Sequence, residues 1–239
     1  MDNLFIVMPA YNEAGNIEKV VRDWYAMLSD KGELSRLIVA DHGSNDGTHE
    51  ILLELQKELL QLEILQDTDK QHGPKVIALY DNVIKRTVTC EDKCYIFQTD
   101  SDGQTCSDEF ETFWNMRSQY SAIIGNRVER GDGLSRKCVE TIVCLLLRMI
   151  FGVKVPDANA PFRLMDVELV RKYLYKLPVD FNIPNIMMTT YFAYYNESVA
   201  YEKITFKPRQ SGKNTINIPK IMKIGWKAVG DFVRLKKAM

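Results

Sequence analysis

Two rhythms of apolar and polar residues run through the first hundred positions. Short apolar runs at Leu4–Met8, Leu37–Ala40, Leu62–Gln66 and Tyr95–Thr99 have the length of strands. Between them, apolar residues recur at helical spacing over Ile17–Leu28, about Thr48–Leu60 and about Gly73–Lys85. Strands alternating with helices predict an α/β chain with a mostly parallel sheet, covered by helices on both faces. The polar segments Pro9–Glu13, Asp41–Gly47 and Asp100–Gln104 then lie beyond the C-terminal strand ends. Open sheets of this kind bind ligands there.

Past Asp108 the pattern changes. Ser121–Gly125 and Val199–Phe206 read as strands, and Ser135–Gly152 as a long helix. Ile142–Phe151 is the most apolar stretch, interrupted by Arg148. It is about half of the roughly 20 residues a membrane span needs, and reads as a buried helix. Pro219–Lys237 reads as a helix with proline in its first turn. Ile218, Ile221, Met222, Trp226, Val229 and Val233 follow helical spacing, while Lys220, Lys223, Lys227 and Lys237 supply charge. Such a helix either lies in a membrane interface or packs on its own domain with a solvated basic face. The expected division is a domain over residues 1–215 and a basic amphipathic helix over 216–239.

Charge sharpens that reading. The 239 residues carry a net charge of −1, which gives no nucleic-acid signal. From Lys203 onward there are ten Lys/Arg and one acid, Asp231, a net +9 that leaves −10 on residues 1–202. A basic tail on an acidic body suits an anionic partner such as a membrane surface or a lipid phosphate. The five cysteines show neither CxxC spacing nor a histidine partner, so they read as reduced thiols rather than a zinc site. His42, His49 and His72 lack metal-ligand spacing. The chain begins almost directly with a strand, so no secretory signal is expected. The expected location is cytoplasmic, peripheral on the inner face of the membrane.

The chemistry concentrates where the run Cys94–Phe97 leads to Asp100 and Asp102. Side chains two apart in an extended segment share a face. Carboxylates there can hold a divalent metal, and the metal a diphosphate. A second Asp-x-Asp, at Asp67-Thr68-Asp69, does not continue into Gly-Gln as the first does. Asp41 and Asp46 are either turn formers or ligands. Gly73-Pro74-Lys75 starts a helix, and from there Lys75 could reach a diphosphate. No G-x-G-x-x-G follows the first strand and no P-loop signature is present, which argues against a dinucleotide-dependent enzyme.

Three segments, Val7-Met8-Pro9-Ala10-Tyr11-Asn12-Glu13, Val39–Thr48 and Gln98–Gln104, resemble family 2 glycosyltransferases of the GT-A fold. Downstream, Gly125-Asn126-Arg127, Gly131–Arg136, Asp157–Arg163 and Phe206–Lys213 resemble the bacterial, dolichyl-phosphate mannose synthase-like branch. The resemblance covers about residues 4–215. It implies that Pro9, Tyr11 and Glu13 line a nucleoside pocket and that Asp41 accepts a hydrogen bond from base or ribose. It implies that Asp100 touches the ribose or a metal, and that Asp102 and Gln104 bind the metal. Arg209 and Lys213 would close over phosphates, and Arg136 would face an acceptor phosphate. His42 stands where relatives often carry a second Asp. Thr215 stands where related synthases carry a lysine, which makes Lys213 the nearest cation.

The activity so implied is inverting, metal-dependent transfer of a sugar from a UDP- or GDP-linked donor. The acceptor is a polyprenyl-phosphate or lipid-linked saccharide, in cell-surface polysaccharide synthesis. Mg²⁺ or Mn²⁺ suits an all-oxygen ligand set. Arg209 and Lys213 would add charge where it develops as the bond breaks. A lipid phosphate needs no catalytic base, whereas a sugar hydroxyl does, and Asp157 is the candidate. Arg163 reads equally as an ion-pair partner of Asp157 or as an acceptor contact. The alternatives are a non-catalytic nucleotide-sugar binder or scaffold, and a transferase with a soluble acceptor.

Overall fold

A computed structural model describes residues 1–66, 68–130, 134–208 and 218–239, with backbone alone at 128–130, 134–138 and 218–227. Seven strands form one sheet: β1 (Asn3–Ala10), β2 (Arg36–Asp41), β3 (Leu62–Leu65), β4 (Cys94–Gln98), β5 (Ala122–Arg130), β6 (Arg163–Asp166) and β7 (Val199–Phe206). Their order across the sheet is β3-β2-β1-β4-β6-β5-β7. β1 pairs parallel with β2 and β4, β2 with β3, and β5 with β7. Only β6 runs antiparallel, between β4 and β5.

The helices are α1 (Ile17–Tyr25), α2 (Thr48–Glu58), α3 (His72–Arg86), α4 (Phe110–Met116), α5 (Leu134–Phe151), α6 (Val167–Leu174), α7 (Pro184–Tyr194) and α8 (Ile218–Lys237). Side chains along the central strands alternate between two cores. Leu4, Ile6 and Met8 of β1 join Leu37 and Val39 of β2 and Tyr95 and Phe97 of β4, beneath α1, α2 and α4. Phe5 and Val7 join Ile38 and Ile96 on the other face, beneath α3, α6 and α7. In the first core Phe97 lies edge-on to Phe110 and Phe162, with ring centroids 5.0 and 4.7 Å away.

The elements that the pattern predicts in the first hundred residues are all present. The helix expected over Ile17–Leu28 ends at Tyr25 and tightens into a 3₁₀ turn, Ala26–Leu28. β6 and α7 carry no such signal, whereas Phe110, Phe113 and Trp114 of α4 and Val167, Val170, Tyr173 and Leu174 of α6 do follow helical spacing, in segments too short to stand out. β6 has four residues, too few for a period. α7 is buried almost throughout, so no polar face marks it.

One expectation needs adjusting, and the open choice for α8 is decided for its last turns. Only one face of α5 is buried: Leu147 and Phe151 are in the core, but Ile142, Leu145 and Met149 are more than half exposed. The last turns of α8 pack on the domain itself. Phe232 and Leu235 are buried there, and the Phe232 ring centroid lies 6.1 Å from that of Phe151. Among the described residues no helix is long and apolar enough to cross a membrane.

Candidate active site

The chain leaves β1 toward β2 and β3, then returns to β4 on the opposite side of β1. Strand order thus reverses between β1 and β4, which opens a crevice at their C-terminal ends. Backbone and hydroxyl bonds stitch its floor. The Thr99 N–H donates to the Val7 carbonyl (3.1 Å), and Ser101 Oγ donates to the Pro9 carbonyl (2.9 Å). Gly103 then turns the chain with φ +71°, a conformation that favours glycine.

The turn after β1 is fixed by the loop after β2. Asn12 adopts φ +55°. Its N–H donates to Ser44 Oγ (3.0 Å), and its side-chain oxygen accepts from the Asn45 N–H (2.9 Å). The Glu13 N–H donates to Thr48 Oγ1 (2.8 Å), and the Ala14 N–H to Asp46 Oδ2 (3.0 Å). Burial pushes the Asp46 carboxyl upward, but donors from Thr48 and the Ala14 backbone outweigh it and hold it below its usual range. Asp46 is therefore a latch between two loops. Glu13 is buried, with Oε2 accepting from Asn16 Nδ2 (2.8 Å). Tyr11 stays about half exposed at the mouth.

Lys75 lies under that mouth with 1% of its surface exposed. Its Nζ donates to the Ala10 carbonyl (2.6 Å) and the His42 carbonyl (3.3 Å), and lies 5.3 Å from the centre of the Tyr11 ring. Burial lowers its pKa, with Asp41 and Asp69 opposing that. The ammonium thus clips the ends of β1 and β2 together. Asp41 is buried beside it, accepting from Ser44 Oγ and lying 3.2 Å from His49 Nδ1. His49 Nε2 lies 3.3 Å from the Gln66 side chain, which extends the chain of contacts to the end of β3. Thr48 closes the segment Val39–Thr48, but His49 carries no motif signal. Only the helical start at Thr48 places them opposite Asp41 and Glu13.

At β4, Asp102 Oδ1 accepts from the Gln104 N–H (3.1 Å). Asp100 Oδ1 is buried and has no hydrogen-bond partner among the described residues. Burial, then the Asp102 charge, push its carboxyl up to about 8, against Arg127. A carboxylate so placed calls for a proton or a cation. Gln104 donates Nε2 to the Lys207 carbonyl (2.7 Å) and accepts from the Lys207 N–H (2.8 Å), which leaves Oε1 for a cation. Among the described residues no three His, Cys, Asp or Glu form a closed metal cage. Two carboxylates and an amide fit Mg²⁺ or Mn²⁺, which commonly complete their shells with phosphate and water.

Asp157 meets Arg127, and not Arg163, which the sequence left open as its partner. Arg127 of β5 grips it bidentately, Nε to Oδ2 at 2.7 Å and Nη2 to Oδ1 at 2.8 Å, and also approaches Glu140 at 3.7 Å. Among the described residues Arg163 has no carboxylate gripped in this way. Its guanidinium donates to the Ala160 and Asn185 carbonyls and to Thr189 Oγ1, fully buried. Backbone oxygens on α7 and the turn before β6 therefore replace the ion pair. Arg209 and Lys213 lie outside the described residues, as does the side chain of Arg136.

Comparison with known proteins agrees with this fold. A crystal structure of *Mycobacterium tuberculosis* glucosyl-3-phosphoglycerate synthase in complex with uridine-diphosphate superposes with a TM-score of 0.66. It is 16% identical and matches 98% of this chain and 80% of that one. The same enzyme with Mn²⁺, uridine-diphosphate and phosphoglyceric acid gives 0.67 at 15% identity, over 98% and 78%. Among curated proteins, undecaprenyl-phosphate 4-deoxy-4-formamido-L-arabinose transferase of *Pectobacterium atrosepticum* is 24% identical over 166 residues, 67% of this chain. The chain spans about half the length (48%) of that relative. The model of glycosyl transferase family 2 matches residues 5–174, which include the turn after β1, Asp41, Asp100 and Asp102, and the chain belongs to that family.

Proposed function

We propose that this chain transfers a sugar, with inversion, from a nucleotide-diphospho-sugar to a polyprenyl-phosphate or lipid-linked acceptor at a membrane surface. Its product would feed cell-surface polysaccharide synthesis. The observation that carries this reading is the buried Asp100 oxygen beside Asp102, at the strand-order reversal of a family 2 fold. Tyr11, Glu13 and Asp41 would hold the nucleoside. Asp41 keeps acceptor capacity there, because a carboxylate offers about four lone-pair sites. A divalent cation held by Asp102, Asp100 and Gln104 Oε1 would supply Lewis-acid neutralisation of the leaving diphosphate. Arg209 and Lys213 would add to that charge, and Arg136 would hold the acceptor phosphate.

In the transfer, an acceptor phosphate oxygen bonds to the anomeric carbon as the carbon–oxygen bond to the diphosphate breaks. The electron pair of that bond leaves with the diphosphate, and no proton has to move. An anionic acceptor needs no base, which accords with the setting of Asp157. A carboxylate gripped by a guanidinium is a weak proton acceptor, so we assign Asp157 to holding Arg127 in place. The undecaprenyl-phosphate named in the curated relative supports a lipid acceptor. A soluble phosphorylated acceptor is the second reading, favoured by the phosphoglyceric acid bound in the structural neighbour.

Incubation with radiolabelled UDP- and GDP-sugars and polyprenyl-phosphate tests both. Label entering the organic phase supports the lipid acceptor. Label confined to water-soluble product supports the second reading, and no turnover with any donor leaves a binding protein. Asp102→Asn should slow transfer about a hundredfold, since a neutral amide replaces a charged ligand of the cation that would neutralise the diphosphate. Undiminished activity in that variant, or in excess EDTA, would remove the metal assignment.

A further inference from the structure

A second chemical feature lies at the opposite end of the central strands, where β4 begins beside β1. Cys90 and Cys94 close a five-residue turn between α3 and the first residue of β4. Their sulfurs are 3.5 Å apart. Asn3 Nδ2 reaches both, at 3.6 and 3.8 Å, and each sulfur lies 3.5 Å from the Asp92 carbonyl. Cys90 is half-buried and Cys94 buried. Cys106 and Cys144 are also free thiols, but no second sulfur contacts either among the described residues. The sequence pattern hides the pair, because C-x-x-x-C matches neither a zinc knuckle nor a redox CxxC.

We infer that Cys90 and Cys94 form a dithiol modification site, which exchanges with small-molecule disulfides to give an internal disulfide. This inference does not depend on the transferase reading. The 3.5 Å separation must shorten to about 2.05 Å, a motion of side chains on a turn rather than of strands. The order of attack follows from exposure. The Cys90 thiolate attacks one sulfur of the external disulfide, forms a mixed disulfide, and releases one thiolate. The Cys94 thiolate then attacks Cys90 Sγ and expels the second. Two protein thiols and one external disulfide thus become one protein disulfide and two small thiols.

Burial, the Cys90 contact and the Asp92 charge push the Cys94 thiol up to about 12, with Asn3 opposing them. Asp92, whose carboxylate pairs with the Met1 amine at 3.3 Å, is the charge acting on that thiol, and Glu91 and Lys93 share the same turn. Cys94 is therefore the slow partner. Its thiolate fraction, and with it ring closure, should rise about tenfold for each pH unit near neutrality.

The test uses the reduced full chain with glutathione disulfide, acid quenching and peptide mass mapping. The expected result is a Cys90–Cys94 link that lacks two hydrogens and is reversed by dithiothreitol. Cys94→Ser should instead accumulate glutathione on Cys90. Should that variant not fold, phenylarsine oxide on the native chain serves in its place. It bridges paired thiols and should mask these two while Cys106 stays open to alkylation. Glutathione persisting on Cys90 of the native chain, a link to any other cysteine, or closure indifferent to pH would overturn the proposal.

Discussion

At the residue scale, Asp100 and Lys75 set how the crevice behaves without ligand. Asp100 is pushed from its ordinary 3.8 up to about 8 by burial and by Asp102. The folded state therefore holds this proton at pH values where the unfolded chain has lost it. Stability should fall as pH rises from about 4 to about 8, and level off above. In Asp100→Asn that slope should largely vanish, and in the native chain Mn²⁺ should flatten it. Thermal melting across pH, with and without Mn²⁺, checks both, and an unchanged slope in the variant would assign the proton elsewhere. Lys75 donates to the buried Ala10 carbonyl and the part-buried His42 carbonyl, and both lose that donor when it is replaced. Lys75→Met should cost about 2–4 kcal/mol in urea unfolding, two orphaned acceptors at about 1–2 kcal/mol each. Loss of nucleotide affinity with stability intact would mean instead that the ammonium serves the diphosphate.

At the element scale, the aromatic core on the α1 face fixes how β4 presents its carboxylates. Phe97 touches Trp24, Phe110, Phe113 and Phe162, three residues before Asp100. Phe97→Ala should cost about 3–5 kcal/mol, because a packed ring is removed and its neighbours belong to α1, α4 and the turn before β6. Urea unfolding measures that cost. A loss below about 1 kcal/mol would mean that the cluster collapses to fill the space. The tie between Gln104 and Lys207 is a second such link, joining the β4 loop to the end of β7. It makes the geometry of the carboxylate loop depend on a strand about a hundred residues away in sequence.

At the scale of the whole molecule, charge and shape are divided. The net +9 from Lys203 onward belongs to β7, α8 and the residues between them. Phe232 and Leu235 anchor the end of α8 in the core, so its basic residues are carried on a fixed support. Anionic lipid attracts nearby lysines by about 1 kcal/mol each. The chain should therefore sediment with phosphatidylglycerol vesicles at low salt and leave them at high salt. Protein that stays in the supernatant at low salt would make the tail a solvated face, and a soluble acceptor the better reading.

What the sequence determined by itself is local or periodic. The strand runs, the three polar loops at their ends and the Asp100/Asp102 spacing follow from side-chain alternation and turn chemistry, which act over a few residues. The family resemblance adds to these, since it too is carried by short segments in order. What only the tertiary structure decided involves partners far apart in the chain. Arg127 rather than Arg163 holds Asp157, and Lys75 clips the ends of β1 and β2. β6 exists because β4 and β5 offer it edges, and Asn3 of β1 reaches the sulfurs of Cys90 and Cys94. The physical reason is common to all four. A buried charge, a lone strand or a thiol takes whichever neighbour folding brings within about 3 to 4 Å. That neighbour is set by the packing of the whole sheet, and no short window of sequence contains it.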